Sequence, residues 1–402
     1  MARSSFVNLE AEMPAARKFA LFEYGFRPFF LLAAFYAAVA VPIWVGLWRG
    51  DIGWQPAMAA NLWHGHELIF GFAVAALAGF MLTAVPNWTG TAAIRGPKLM
   101  LLVGVWAAGR IAAFLPWPGL FAAVDLSFLP LLALILGPGI IIRNGRRNGI
   151  LVGILLLLAI VNSAVHFDGW GFATLSGSWA LQVAVAVFAL LIGIIGGRIV
   201  PAFTQGGMKM AGFPFVIVGN RYVDIAAILS LLLNLLAVLF QVPDVVAGCV
   251  ALLAAACNLI RFWRWQGWRT WPVPLVWILH LGYGWLVIGL FLNGLTAIFD
   301  LFPTAMGLHA LTAGSFSTMI LAVMSRAALG HTGRQLVASR KTTGAYVLLT
   351  VAVLLRVIAP LTGDFQPPLI ESAALLWSGA FLIFGVQYLP ILLLPRPDGR
   401  PG

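Results

Sequence analysis

Twelve apolar runs, most of them about 20 residues long and separated by short polar connections, decide what this chain can become. They cover 28–48, 62–86, 99–116, 120–142, 149–167, 173–195, 222–240, 245–262, 272–298, 303–325, 344–361 and 369–394. A run of ~20 apolar residues is the length a helix needs to cross the hydrocarbon core of a bilayer. Only 9% of the 402 residues are charged and 61% are hydrophobic, a surface no soluble domain can keep in water. The reading is an all-α, polytopic membrane bundle of about twelve transmembrane helices. Residues 1–27 precede it, 28–394 form it and 395–402 follow as a tail, in one integral-membrane domain.

The net charge of +11 would suggest nucleic acid in a soluble domain, so its placement matters. Across the N-terminal segment, the even-numbered connections and the tail there are 21 Lys and Arg residues, against Arg49 alone in the odd-numbered connections. Those odd connections carry Asp51, Asp168, Asp244, Asp300 and Asp364 instead. By the positive-inside rule both termini are cytoplasmic, and the charge is an orientation signal rather than a nucleic-acid footprint. The first apolar run lacks a small-residue cleavage site, which reads against a removable signal peptide. Cys249 and Cys257 lie eight positions apart on one helix, about 12 Å, too far for a disulfide. No C-x-x-C-H occurs, so covalent haem attachment is excluded.

Two basic residues fall inside apolar runs, Arg110 and Arg356. Counting ~1.5 Å per residue from the cytoplasmic side places both in the outer half of the membrane. Trp63-His64-Gly65-His66-Glu67 opens the second run from the outer side, and His166, His309, Asp125 and Glu371 sit at similar depth. Intramembrane ionisable groups face the bundle interior and pair with one another. His64 and Glu67 share a helix face, whereas His66 is turned about 200° from His64. One regular helix therefore cannot offer both imidazoles to one metal; the second must face another site or a partner. His166 follows Asn162 and Ser163 on one stripe, and His309 stands between Met306 and Thr312. Taken singly, each His is explained equally well as a packed or hydrated residue. Together they form a candidate ligand layer: imidazole suits iron, copper and zinc, Met adds a soft copper ligand, and His holds haem without a covalent motif. Arg110 and Arg356 are candidate partners for haem propionates, although a Glu67–Arg pair explains them as simply.

A thinner layer lies towards the cytoplasm. It comprises His280 in Trp277-Ile-Leu-His280-Leu-Gly-Tyr283, Arg198 at the end of the sixth run, and Arg326, His331 and Arg334 in the tenth connection. The small Gly284 beside His280 admits either a flat macrocycle or a neighbouring helix. A solvated basic loop is the default for the tenth connection.

Several of these stretches together resemble the NnrS family. They are Phe22-Glu23-Tyr24-Gly25-Phe26-Arg27-Pro28-Phe29-Phe30, the Trp-His-Gly-His-Glu run, and Leu82-Thr83-Ala84-Val85-Pro86-Asn87-Trp88-Thr89-Gly90. Gly197-Arg198-Ile-Val-Pro-Ala-Phe-Thr204, Leu279-His280-Leu-Gly-Tyr, Leu308-His309-Ala-Leu-Thr and Met324-Ser325-Arg326-Ala-Ala-Leu-Gly-His331-Thr-Gly-Arg334 complete the set. The family usually has Ala where this chain has Gly65.

The resemblance implies a haem- and copper-containing bacterial inner-membrane protein linked to denitrification and nitric oxide tolerance. The matching positions are His64, His66, Glu67, Arg198, His280, His309, Arg326, His331 and Arg334. The expected function is to bind or turn over NO, as an oxidoreductase if turnover occurs, or to protect iron centres from it. Expected cofactors are non-covalent b-type haem and copper, with iron or copper ligands drawn from His64, His66, His166, His280, His309 and His331. Glu67 is the expected proton carrier. Arg110, Arg198, Arg326 and Arg356 are the expected cofactor-binding cations. Membrane lipids and a quinol or membrane electron donor are the expected partners, with no nucleic acid. Two alternatives stay open: a transporter or exporter of a metal, haem or metal-nitrosyl complex, and a non-catalytic scaffold.

Overall fold

The computed structural model describes residues 19–144, 149–168 and 176–400. Arg3, Arg17, Lys18, Arg146 and Arg147, used above for orientation, lie outside the described residues. The described chain is helical, in the order α1 (Phe26–Arg49), α2 (Ala60–Thr89), α3 (Pro97–Ala112), α4 (Pro118–Asn144), α5 (Gly149–Asp168) and α6 (Gly177–Met210), then α7 (Arg221–Leu239), α8 (Asp244–Arg264), α9 (Pro274–Phe299), α10 (Thr304–His331), α11 (Arg340–Ile358) and α12 (Gln366–Leu393). Eleven are long and apolar enough to cross a membrane; α3, at 16 residues, is the short one. This is a multi-pass membrane protein.

Each helix packs on its neighbour in sequence for most of the chain, and α12 returns to α1 to close the bundle. Short connections leave antiparallel neighbours little choice, because a helix pair joined by a few residues must lie side by side. Burial separates an inner from an outer layer: 83% of the apolar window of α2 lies inside the protein, against 28% for α7. The inner helices are α2, α6, α9 and α10. Outward-facing residues are themselves apolar, as at Leu134 and Leu375, which are 72% and 71% exposed. In water such a surface would be untenable; against lipid tails it is at home.

The two ends of the described chain meet on one side, called here the terminal side. Ala20 N–H donates to Leu393 O (2.8 Å), and the buried Arg27 guanidinium donates to Leu392 O (2.8 Å) and Leu394 O (2.9 Å). Arg27 thereby satisfies carbonyls that the end of α12 leaves without helical partners. On the opposite, far side, Arg49 at the end of α1 pairs with Asp51 (2.9 Å) and with Glu371 of α12.

Two boundaries differ from the sequence reading. The sixth helix was expected to end near residue 195, with Arg198 at its end; α6 continues to Met210, and Arg198 is an exposed residue within it. Arg326 and His331 were expected in a connection; both belong to α10, and His331 is its last residue. Hydropathy marks where lipid ends, whereas a helix stops only where its backbone bonding does.

At the crossing of α8 and α9 the backbones approach so closely that a Cβ on Gly248 would lie 2.9 Å from Gly294 O, and one on Gly294 3.0 Å from Gly248 O. Backbone cannot yield as a side chain can. Gly248→Ala and Gly294→Ala are each expected to cost about 1–3 kcal/mol, read as a lowered melting temperature in a fixed detergent.

Candidate functional site

Both α2 and α10 contain a π-helical stretch, Glu67–Ala73 and Ala310–Phe316, and each begins directly after a histidine, His66 and His309. A π-turn shifts backbone pairing from i+4 to i+5 and displaces carbonyls, so it persists where other groups make use of them. Trp106 Nε1 donates to Gly71 O (3.1 Å), and Ser317 Oγ donates to Thr312 O (3.0 Å). Gly71 is needed there: a Cβ would stand 2.8 Å from the Tyr36 ring and 2.9 Å from Arg110 Nη1.

Residues of both π-stretches line one cavity of about 480 Å³, enclosed by α1, α2, α6, α10, α11 and α12. That volume lies in the ~300–1,000 Å³ range of small-molecule and cofactor sites. His64, His309 and Arg356 bring titratable groups to a largely apolar wall that includes Trp44 and Trp377, with Asn61, Gln182 and Gln366 adding neutral polar groups. The His64 ring stacks on Trp44, centroids 4.2 Å apart and planes 24° from parallel. Its Nδ1 is buried with no hydrogen-bond partner among the described residues, and so is Arg356 Nη1. His309 Nδ1 lies 2.7 Å from Ala305 O, a bond it makes as donor, which leaves Nε2 as the ring's lone-pair nitrogen. The arrangement offers imidazole lone pairs and one cation to whatever enters.

His66 faces away from this cavity into a buried polar cluster. Glu67 accepts from Arg110 Nη1 (2.6 Å) and from the Tyr36 hydroxyl, and Arg110 Nη2 also donates to Asp125. Asn162 Nδ2 donates to Asp125 Oδ2 (2.6 Å), and His166 Nε2 lies 3.0 Å from the same oxygen. His66 Nδ1 is 2.8 Å from Glu67 Oε1; its Nε2 is 2.9 Å from Asn162 Oδ1 and 3.2 Å from Asp125 Oδ2. Both ring nitrogens of His66 thus face acceptors, yet a neutral imidazole has one N–H. Two carboxylates also outnumber the one guanidinium. One further cation, a proton or a metal ion, completes the set. His66, His166 and Asp125 hold their ligand atoms within 4.8 Å of one another, two imidazoles and a carboxylate.

The single outer layer expected from sequence is therefore two sites back to back on α2. His64, His309 and Arg356 stand at the cavity; His66, Glu67, Arg110 and His166 stand in the cluster. Arg110 is occupied by Glu67 and Asp125, so of its two expected roles the structure has the Glu67 pair. His280 sits apart, its Nε2 2.8 Å from Thr204 Oγ1 and its ring packed where a Cβ on Gly267 would meet it at 2.6 Å. Trp44 and Tyr36 were not singled out from the sequence; a Tyr inside an otherwise apolar run is the one signal that pointed to Tyr36.

Gly65 lies between the two histidines. A Cβ there would stand 2.5 Å from Leu181 Cδ1, the free end of a flexible side chain. Gly65→Ala gains up to ~1 kcal/mol of helix propensity and costs a small shift of Leu181. The variant is expected to melt within about 1 kcal/mol of the parent, unlike Gly248→Ala.

A partly open, His-lined cavity and a buried His–carboxylate cluster thus lie side by side within a polytopic helical membrane bundle. The family model described as NnrS protein matches residues 20–396, nearly the whole chain, and the chain belongs to the NnrS family. A search of curated proteins returns no match.

Proposed function

We propose that the protein binds haem and copper in the bacterial cytoplasmic membrane, its terminal side in the cytoplasm, and that it serves the nitric oxide response by binding or turning over NO. The observation that carries this reading is the cavity of about 480 Å³ on which two imidazoles and an unpaired guanidinium converge. These donors suit a haem: His64 and His309 would hold its iron, and Arg356 would meet a propionate. The orphaned His64 Nδ1 and Arg356 Nη1 support the fit, since buried polar atoms without partners are costly. Copper would take the His66, His166 and Asp125 set, whose imidazole and carboxylate donors accept a first-row ion.

Bound haem iron would supply the redox-active, gas-binding centre. The chain does the rest. Trp44 fixes the plane of His64, and the bond to Ala305 O fixes His309. The cavity's largely apolar walls would admit an apolar gas. Glu67, held between Tyr36, Arg110 and His66, is placed to keep a proton beside the cavity. Electrons would come from a quinol or a membrane partner.

The test is an absorption spectrum of the purified protein, oxidised and dithionite-reduced, before and after NO, with iron and copper counted in the same sample. A Soret band near one haem per chain that shifts with NO is expected. Colourless, metal-free protein from haem- and copper-replete cells would overturn the reading.

A further inference from the structure

A second cavity, of about 320 Å³, lies on the terminal side among α1, α2, α6 and α10. Its walls are mostly apolar, with Phe26, Phe30, Phe80 and Phe203 set among aliphatic side chains. Two titratable groups line it, Arg326 and His331, while the Thr83 hydroxyl is bonded back to Gly79 O. Arg326 is only 8% exposed, and its guanidinium lies 4.1 Å from the centre of the Phe203 ring. Among the described residues it makes no hydrogen bond and no ion pair. The His331 ring leans on Phe26, centroids 5.5 Å apart, and its ring nitrogens make no hydrogen bond among the described residues.

Among the described residues, no negative charge is left to neutralise Arg326: its only close charged or ring contact is Phe203. Asp398 is clasped by Arg396 through two bonds (2.9 and 2.6 Å), which hold its carboxyl below the usual carboxylate range. Glu23 faces Arg27. Among the described residues near Arg27, both Arg334 and Arg396 add positive charge and Glu23 negative charge. A guanidinium taken out of water without a counter-ion is destabilising, and the ring of Phe203 offsets only part of that cost. An anion entering the cavity would gain a charge-assisted, forked contact, and its apolar portion would find aromatic walls.

We propose that this cavity binds an amphipathic anion, with its head on Arg326 and His331 and its apolar body among Phe30, Phe80 and Phe203. Two sources share that chemistry: an anionic phospholipid of the surrounding leaflet, and a second haem with its propionates. This site is independent of the function proposed for the far-side cavity.

Native mass spectrometry of the full-length protein, delipidated in detergent and titrated with phosphatidylglycerol or phosphatidylcholine of matched chains, tests it. Haem is counted in the same preparations. The parent is expected to retain one phosphatidylglycerol per chain with a preference of about tenfold or more, the value of one charge-assisted hydrogen bond. If haem is the source, a second haem per chain is expected in its place. Arg326→Gln should lose whichever is bound while melting near the parent temperature. If Arg326→Gln does not fold, Arg326→Lys and His331→Gln should each lower the preference severalfold. Equal retention of the two lipids with no second haem, or undiminished preference in these variants, overturns the proposal. A single haem lost in Arg326→Gln but kept in His64→Ala would uphold this site and sink the far-side one.

Discussion

Arg110→Ala is expected to lower stability by about 3–5 kcal/mol, enough to prevent accumulation of monodisperse protein. The guanidinium is the single full positive charge between Glu67 and Asp125, all three at most 5% exposed. Its removal leaves two carboxylates facing each other where water does not reach. Arg110→Lys restores the charge but not the fork that spans both acids, so a partial rescue is expected. Combining Arg110→Met with Glu67→Gln and Asp125→Asn removes every charge and should recover most of the loss, because the cost lies in the unpaired ion rather than in the lost bridge. The measurement is the melting temperature and gel-filtration profile of each variant in one detergent. A loss under about 1 kcal/mol for Arg110→Ala would mean that solvent reaches the cluster.

His64→Ala and His309→Ala should each abolish the haem spectrum while leaving the bundle folded. Neither side chain holds two helices together through a bond the fold needs. His64 stacks on Trp44, and His309 hydrogen-bonds back to its own helix at Ala305. Each truncation is expected to cost no more than about 1–2 kcal/mol in apoprotein stability. Copper should be retained in both variants, because the imidazole–carboxylate set lies on the other face of α2. Added imidazole is expected to restore a Soret band in His64→Ala, filling the space the side chain vacated. Full haem retention in both variants would remove the far-side cavity from consideration.

Much of the architecture was legible because the bilayer acts on long stretches. A run such as 272–298 needs only length and apolarity to be read, and the structure has α9 at Pro274–Phe299. The opposed directions of His64 and His66 followed from helical rotation alone. What stayed hidden depends on contacts between distant segments. Asp125 was read at the depth of the polar layer, but nothing in the sequence around it names its partners, and it anchors Arg110, Asn162 and His166 together. Trp44 reads as one more aromatic residue near an interface until His64 is found stacked on it. The extension of α6 past Arg198 was hidden because polar residues can continue a helix beyond the hydrocarbon layer.

The π-stretches carry a consequence for how this site can change. Each takes up the backbone in wider turns than the helix around it, so the parts of α2 above and below Glu67–Ala73 are out of rotational phase. The wide turns take up about one residue more than regular winding would over the same rotation. Rewinding them as α-helix with every residue kept would therefore swing His64 and His66 by about 100° against the membrane-buried remainder of the helix. The same holds for His309 and Ala310–Phe316. The aim of the histidines is thus stored in the wide turns themselves, and a change that rewinds them as regular helix without removing a residue erases it.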